Sequence, residues 1–334
     1  MASPANRATW ADHETEDEVE EEDEAEDVMD DAPMRITGRV FIGSIDAARN
    51  ATALKRWRIG GVLAVHTKGE AEAAVARPSV VGSAGDADEL QCTRISVEME
   101  DSRAADWIRT IPGILAKLET LLGKAERDDT NVLVHCIAGR SRSVSVVAAW
   151  MLASESKQQS VLDVVDRIRL IRPWIEINPC FTQDLHLFHA VLQTTNGSVL
   201  RAEDAKLLTD RSFPRLDFGA NLVDMVLQGT KTITMRLLSD IEADCNSDLE
   251  IIFPHSVVVA TTAATCGSPT RSRFAYLRID RVETQELVAI DQTTLRKSGF
   301  ESATEALALL EQFYPNVTAT TPLLMLHFDC LCPL

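Results

Sequence analysis

The sequence predicts an α/β domain followed by a smaller α+β domain made mostly of strands. Three observations lead there. At 334 residues the chain is long enough for two domains of about 150 residues each. Between Met34 and Thr195, apolar strand-like runs alternate with stretches of helical periodicity, which is the order of an α/β sheet. After Thr195 the texture changes to alternating strands with two helical stretches, as in a small barrel-like domain.

The first 33 residues read as a disordered acidic tail. Residues 11–31 hold 14 Asp and Glu and no Lys or Arg, so like charges repel and little apolar surface is available to bury. Residues 34–44 (MRITGRVFIGS) alternate and end in Gly-Ser, giving a strand and then a turn. A short helix is expected at 47–57, a buried strand at 60–65, a loop at 77–89 and a strand at 93–98. The helix at 106–122 contains Pro112-Gly113, which bend it or mark its real start. Residues 131–135 form a short apolar strand, followed by an apolar helix at 143–153. Ser160 and Asp163 have capping-box spacing at the start of the next helix, which Pro173 stops. A last helix runs from 182 to 193. Residues 196–210 read as a linker. Beyond it lie helices at 219–227 and 302–313 and strands at 230–236, 249–260, 274–282 and 323–329.

Charge and cysteine content narrow the function classes. The net charge of −18 is concentrated in the tail. Residues 32–209 carry +1 and residues 210–334 carry −6, so neither domain has the basic footprint of a general nucleic-acid binder. Seven cysteines without a C-x-x-C pair suit neither a disulfide framework nor a zinc site, and they fit a reducing compartment. The sequence shows no secretory leader and no apolar run long enough for a membrane span. The expected location is the cytoplasm, with the nucleus as the alternative.

The segment that carries chemistry is His135-Cys136-Ile137-Ala138-Gly139-Arg140-Ser141-Arg142-Ser143. It joins an apolar strand to an apolar helix through small residues. Loop N–H groups and the helix N-terminus would point at a phosphate. The same field favours the thiolate of a cysteine at the loop's base, making Cys136 a nucleophile. Arg142 can fold back over the loop and grip two phosphate oxygens. Ser143 can donate to the sulfur, and His135 can orient the loop from behind.

This string resembles the Cys-x5-Arg phosphate loop of the cysteine-based protein tyrosine phosphatase superfamily, in the form of its dual-specificity phosphatase branch. The resemblance covers residues 34–194. It extends to Ile42-Gly43-Ser44 with Ala47-Ala48, and to Arg172-Pro173, Ile177-Asn178-Pro179, Phe181 and Leu185, with Asp184 where the family often has Gln. It implies a central sheet flanked by helices and a two-step hydrolysis without metal or cofactor. Ile137, Ala138, Gly139, Arg140, Ser141 and Arg142 would bind the phosphate, and Cys136 would be the nucleophile. The proton donor would be Asp101, followed by Asp106 at the family's spacing. Glu100 is the runner-up, and Asp106 is expected to cap the next helix. Residues 32–209 contain no Tyr, so the wall of a deep phosphotyrosine pocket is missing and a shallow cleft for phosphoproteins is expected.

Residues 213–331 resemble the ASCH family, a PUA-like barrel linked to RNA. The likeness rests on Leu227-x-Gly229-x-Lys231-Thr232-x-Thr234-x-Arg236, on Ser298-Gly299-Phe300-Glu301-Ser302 and on Tyr314-Pro315. It implies a pocket at Lys231, Thr234 and Arg236. Alternation puts Thr230, Thr232, Thr234 and Arg236 on one face of a strand and Lys231 on the other. Two alternative functions remain at this point: an RNA-associated protein acting on a nucleic-acid or ribonucleoprotein phosphate, and a non-catalytic phosphate-binding module. The sequence names no oligomeric state.

Overall fold

In the computed structural model, residues 30–70, 92–102, 106–154, 159–195, 198, 200–237, 248–263, 271–314 and 316–334 are described. Residues 1–29 of the acidic segment and the expected loop at 77–89 lie outside them. Five strands form the first sheet: β1 (Met34–Thr37), β2 (Val40–Gly43), β3 (Ile59–His66), β4 (Thr93–Glu98) and β5 (Asn131–His135). Their order is β1-β2-β5-β3-β4, with β1 antiparallel and the rest parallel. The expected single strand at 34–44 is therefore a hairpin. Its turn is made at Gly38, whose φ of 49° suits glycine.

β5 lies between β2 and β3, and Val132, Leu133 and Val134 are wholly buried, as a parallel strand covered on both faces requires. Because the strands are parallel, the segments that leave β2, β3, β4 and β5 all emerge at one end of the sheet. That end is where α/β folds place ligands.

The expected short helix at 47–57 is two helices, α1 (Ile45–Arg49) and α2 (Ala51–Arg56), divided at Asn50, whose side chain caps the second. One long helix follows β4, α3 (Trp107–Arg127), with Pro112 at its sixth residue, where the missing N–H leaves the Ile108 carbonyl without its usual i to i−4 donor. α4 (Arg142–Ser154) follows β5 and is buried along nearly its whole length. α5 (Val161–Ile171) opens on the expected capping box of Ser160 and Asp163. α6 (Pro179–Gln193) is capped by Asn178.

The segment read as a linker carries a helix, α7 (Ala202–Thr209), with Leu208 fully buried. The second sheet follows: β6 (Arg215–Phe218), β7 (Ile233–Leu237), β8 (Val257–Ala263), β9 (Arg271–Glu286) and β10 (Pro322–Pro333), in the order β6-β8-β9-β10-β7. Helices α8 (Val223–Leu227), α9 (Gln292–Lys297) and α10 (Ala303–Phe313) accompany it. A side chain of one edge strand reaches the other edge strand. Arg236 of β7 donates to the Asp217 carbonyl of β6 at 2.6 Å and lies over the Phe218 ring. Two expectations change here. Residues 248–251 are a 3-10 turn, so β8 starts only at Val257. β7 starts at Ile233, because Thr230 and Lys231 both close a turn onto the Met225 carbonyl. The expected alternation from Thr230 therefore does not hold.

One apolar core serves both units. Val257, Val259, Tyr276, Leu331 and Cys332 of the second sheet join the cluster formed by β5, α3, α4 and α6.

Candidate active site

Cys136 leaves the end of β5 and is 4% exposed. The loop after it turns its carbonyls outward. The Ile137 carbonyl accepts from Ile45 N at 2.9 Å, Gly139 from Arg172 Nε at 2.8 Å, Arg140 from Glu176 N at 3.0 Å and Ser141 from Ser145 N at 2.8 Å. The Ala138 carbonyl accepts from Arg172 Nη2 at 3.3 Å. In a planar trans peptide the next residue's N–H points opposite to the carbonyl, so the N–H groups of residues 138–142 face the inside of the loop. Gly139 N donates to Cys136 Sγ at 3.2 Å, in line with that geometry. Ser143 Oγ lies 3.4 Å from the same sulfur. Gly139 has φ of 64°, and a Cβ there would come within 2.5 Å of the Gly43 carbonyl oxygen, so the position admits only glycine.

Arg142 is buried, and Glu70 meets it end-on. Glu70 Oε2 accepts from Nη1 at 2.5 Å, and Oε1 accepts from Nη2 at 3.2 Å. Among the described residues the buried Arg142 Nε has no hydrogen-bond partner, and it lies 3.4 Å from Asp101 Oδ2. Burial opposes the guanidinium charge. The Glu70 hydrogen bonds and the fields of Cys136, Glu70 and Asp101 outweigh it and hold Arg142 above its ordinary range. The hydrogen bonds from Arg142 in turn hold the Glu70 carboxyl below its usual range.

Asp101 follows β4. Its Oδ1 accepts from Asn178 Nδ2 at 3.1 Å. Glu100 is exposed and accepts from Lys68 N at 3.1 Å. Asp106 stands at the N-cap of α3 but makes no side-chain cap hydrogen bond, contrary to expectation. Its carboxylate instead meets Arg109 at 3.3 Å and Arg211 at 3.7 Å. Burial raises its affinity for a proton, and those two arginines partly offset the rise. His135 is buried behind the loop. Nδ1 donates to the Cys136 carbonyl at 3.2 Å, and desolvation lowers the imidazole to about 4, so it is neutral at pH 7.

Four residues of this site carried no sequence signal of their own role. Glu70 is an ordinary charge after β3. Arg172 is fully buried behind the loop and ion-pairs with Asp30. Burial lowers it to about 10. Asn178 joins α6 to Asp101 and takes a second bond, from its own N to Ser141 Oγ at 3.0 Å. Asp30 is the next-to-last residue of the acidic segment, and Ser44 Oγ donates to its carbonyl at 2.5 Å, so contact with the folded chain begins before Met34.

In the second unit, Thr234 and Arg236 share a face, with Arg236 Nη1 donating to Thr234 Oγ1 at 2.8 Å. Lys231 is 3% exposed and donates to the carbonyls of Ile233 at 2.8 Å and of Ser298.

Residues 76–190 match the family model of the dual specificity phosphatase catalytic domain. Protein 123R of Invertebrate iridescent virus 6, named as a tyrosine phosphatase, is 33% identical over 101 residues, covering 30% of this chain and 67% of the viral protein. The dual specificity protein phosphatase Mpk3 of Drosophila melanogaster is 28% identical over 169 residues, 50% of this chain and 36% of that protein. The chain thus spans two thirds of one relative and about a third of the other. The crystal structure of the human tyrosine phosphatase-like serine/threonine/tyrosine-interacting protein is 19% identical, covers 49% of this chain and 99% of its own, and has a TM-score of 0.40. With the phosphate-loop string at 135–143 and the match to the viral protein, the chain belongs to the dual-specificity phosphatase family.

Proposed function

We propose that the chain hydrolyses phosphotyrosine and phosphoserine or phosphothreonine in proteins through a phosphocysteine intermediate. One observation carries the reading: five successive loop carbonyls point outward around Cys136, while the buried Nε of Arg142 has no hydrogen-bond partner among the described residues. A tetrahedral oxyanion seated over the sulfur would take both the inward N–H groups and that nitrogen.

In the first step Cys136 Sγ forms a bond to phosphorus as the ester P–O bond breaks, and Asp101 gives its proton to the leaving oxygen. In the second, Asp101 takes a proton from water, whose oxygen attacks phosphorus. The P–S bond breaks, and the Ser143 hydroxyl steadies the departing thiolate. Arg142, oriented by Glu70, follows the equatorial oxygens through both steps. Asn178 keeps Asp101 facing the loop. Two tyrosines in the chain, both beyond residue 209, support a shallow cleft that admits all three phosphoresidues. A reducing compartment, the cytoplasm or nucleus, would keep Cys136 in its thiol form.

The second unit we read as ASCH-like, a PUA-like barrel. The reach of Arg236 from one edge strand to the other and the grouping of Lys231, Thr234 and Arg236 support a pocket for one nucleobase or a short RNA. Hydrolysis of an aryl phosphate by the full chain tests the main reading. Activity is expected to persist with a metal chelator and to vanish in Cys136→Ser. Undiminished turnover in Cys136→Ser would overturn it.

A further inference from the structure

The segment bearing Asp101 is tied to α6 at both of its ends. At one end Asn178, the N-cap of α6, donates to Asp101. At the other end stands Asp106, and Arg211 joins it to α6. Arg211 donates to both oxygens of Asp184, Nη1 to Oδ2 at 2.9 Å and Nη2 to Oδ1, and Nη1 lies 3.7 Å from Asp106 Oδ1. Asp184 is 3% exposed on α6, and the Asp106 Oδ1 that faces Arg211 is buried with no hydrogen bond among the described residues. Arg211 follows α7, at the start of the second unit.

A second, apolar route runs in parallel. Trp107, next to Asp106, is fully buried, and its Nε1 donates to Ser145 Oγ on α4 at 3.0 Å. Its ring meets Phe188 of α6 edge-on, with centroids 6.0 Å apart. Phe188 in turn meets His255 of the second unit at 6.2 Å. The far end of α6 is gripped from the same side: Arg278 of β9 donates to the carbonyls of Val191, Leu192 and Thr194 at 2.7–2.8 Å. The second unit thus fixes the helix that holds Asp101 and, through one arginine, the point where the Asp101 segment enters α3.

We propose that Arg211 is a positioning residue for the proton donor, so that the second unit sets how well Asp101 reaches the leaving oxygen. The inference rests on the phosphatase reading above. A carboxylate displaced by even a fraction of an ångström loses part of its advantage in proton transfer. That loss falls on esters whose leaving oxygen needs the proton and spares those whose leaving oxygen does not.

The test uses the full chain and two aryl phosphates, phenyl phosphate with a poor leaving group and p-nitrophenyl phosphate with a good one. Arg211→Gln is expected to slow phenyl phosphate by about tenfold or more, and p-nitrophenyl phosphate by less than about twofold. In an Asp101→Asn background Arg211→Gln should add nothing on either ester. Arg211→Lys keeps the charge but offers one nitrogen where two carboxylates must be held, so it should show the same selective loss at smaller size. It also serves if Arg211→Gln fails to fold. Equal losses on both esters, no loss on either, or a further loss in the Asp101→Asn background would overturn the inference while leaving the phosphatase reading in place. Absence of Cys136-dependent hydrolysis in the unaltered chain would remove both.

Discussion

Arg142 and Lys231 are both nearly buried cations, 6% and 3% exposed, one in each unit of the chain, and their surroundings differ in kind. Arg142 stands among carboxylates, Glu70 end-on and Asp101 beside Nε, with Cys136 below. Lys231 has backbone carbonyls for partners and the cation of Arg236 nearby, and burial takes it down to about 7. The lesson concerns what burial does to a charge. Where anions accompany the cation, it keeps its proton and can serve as a fixed electrostatic clamp. Where carbonyl dipoles and a second cation accompany it instead, it becomes a group that gains and loses a proton near neutrality.

The sharpest way to break this contrast is to remove the clamp's geometry while keeping its charge. Arg142→Lys should lower kcat/KM for aryl phosphates by about 10²–10³-fold, the scale seen when an oxyanion donor is lost. An ammonium cannot hold Glu70 end-on and still present a second edge to a phosphate. A loss below about tenfold in steady-state assays would mean that charge alone suffices at this position.

Lys231 offers the complementary experiment. Its folded value near 7 lies below the value of about 10.4 for an unfolded chain. Between those two pH values the unfolded chain binds a proton that the folded chain does not. Stability therefore falls as pH falls through that window and levels off below 7. The slope is about 1.4 kcal/mol per pH unit at most for one proton. Urea unfolding at several pH values from 7 to 10 should show this slope in the unaltered chain, and Lys231→Met should lack it. Equal slopes in the two proteins would show that Lys231 stays charged when folded.

Arg172 lies between these cases, a buried cation with one carboxylate, Asp30. Asp30→Asn should cost about 1–3 kcal/mol, seen as a lower thermal midpoint, because an amide replaces the one carboxylate that pairs, among the described residues, with a guanidinium that stays buried. An unchanged midpoint would mean that the loop carbonyls of Ala138 and Gly139 are enough to hold it.

How much of this was legible beforehand follows from sequence distance. The nine residues from His135 to Ser143 carry their chemistry in one contiguous string, so the loop, its strand and its helix could be read together. Strands β4 and β5 and the capping box at Ser160 were equally local. Glu70, Arg172, Asn178 and Arg211 were not readable in their roles, because each works on a residue 30 or more positions away in the chain, and only the order of the strands brings them together. Asp106 shows the limit from the other side: its spacing named a helix cap, yet its carboxylate turned to two arginines, one of them 105 residues later. The turn before β7 escaped for a similar reason. Alternating polar residues at 230–236 look like a strand from the start, and the Met225 carbonyl that captures Thr230 and Lys231 belongs to a helix.

The common core has a consequence for how such a chain can be rebuilt. Val257, Val259, Tyr276 and Leu331 fill the interior beside α3, α4 and α6, so what is sequentially a second unit is physically a wall of the first. The two are not interchangeable cassettes. A graft of residues 34–194 onto another partner would expose apolar surface, and substitutions on either side of that wall have to be accommodated by the other.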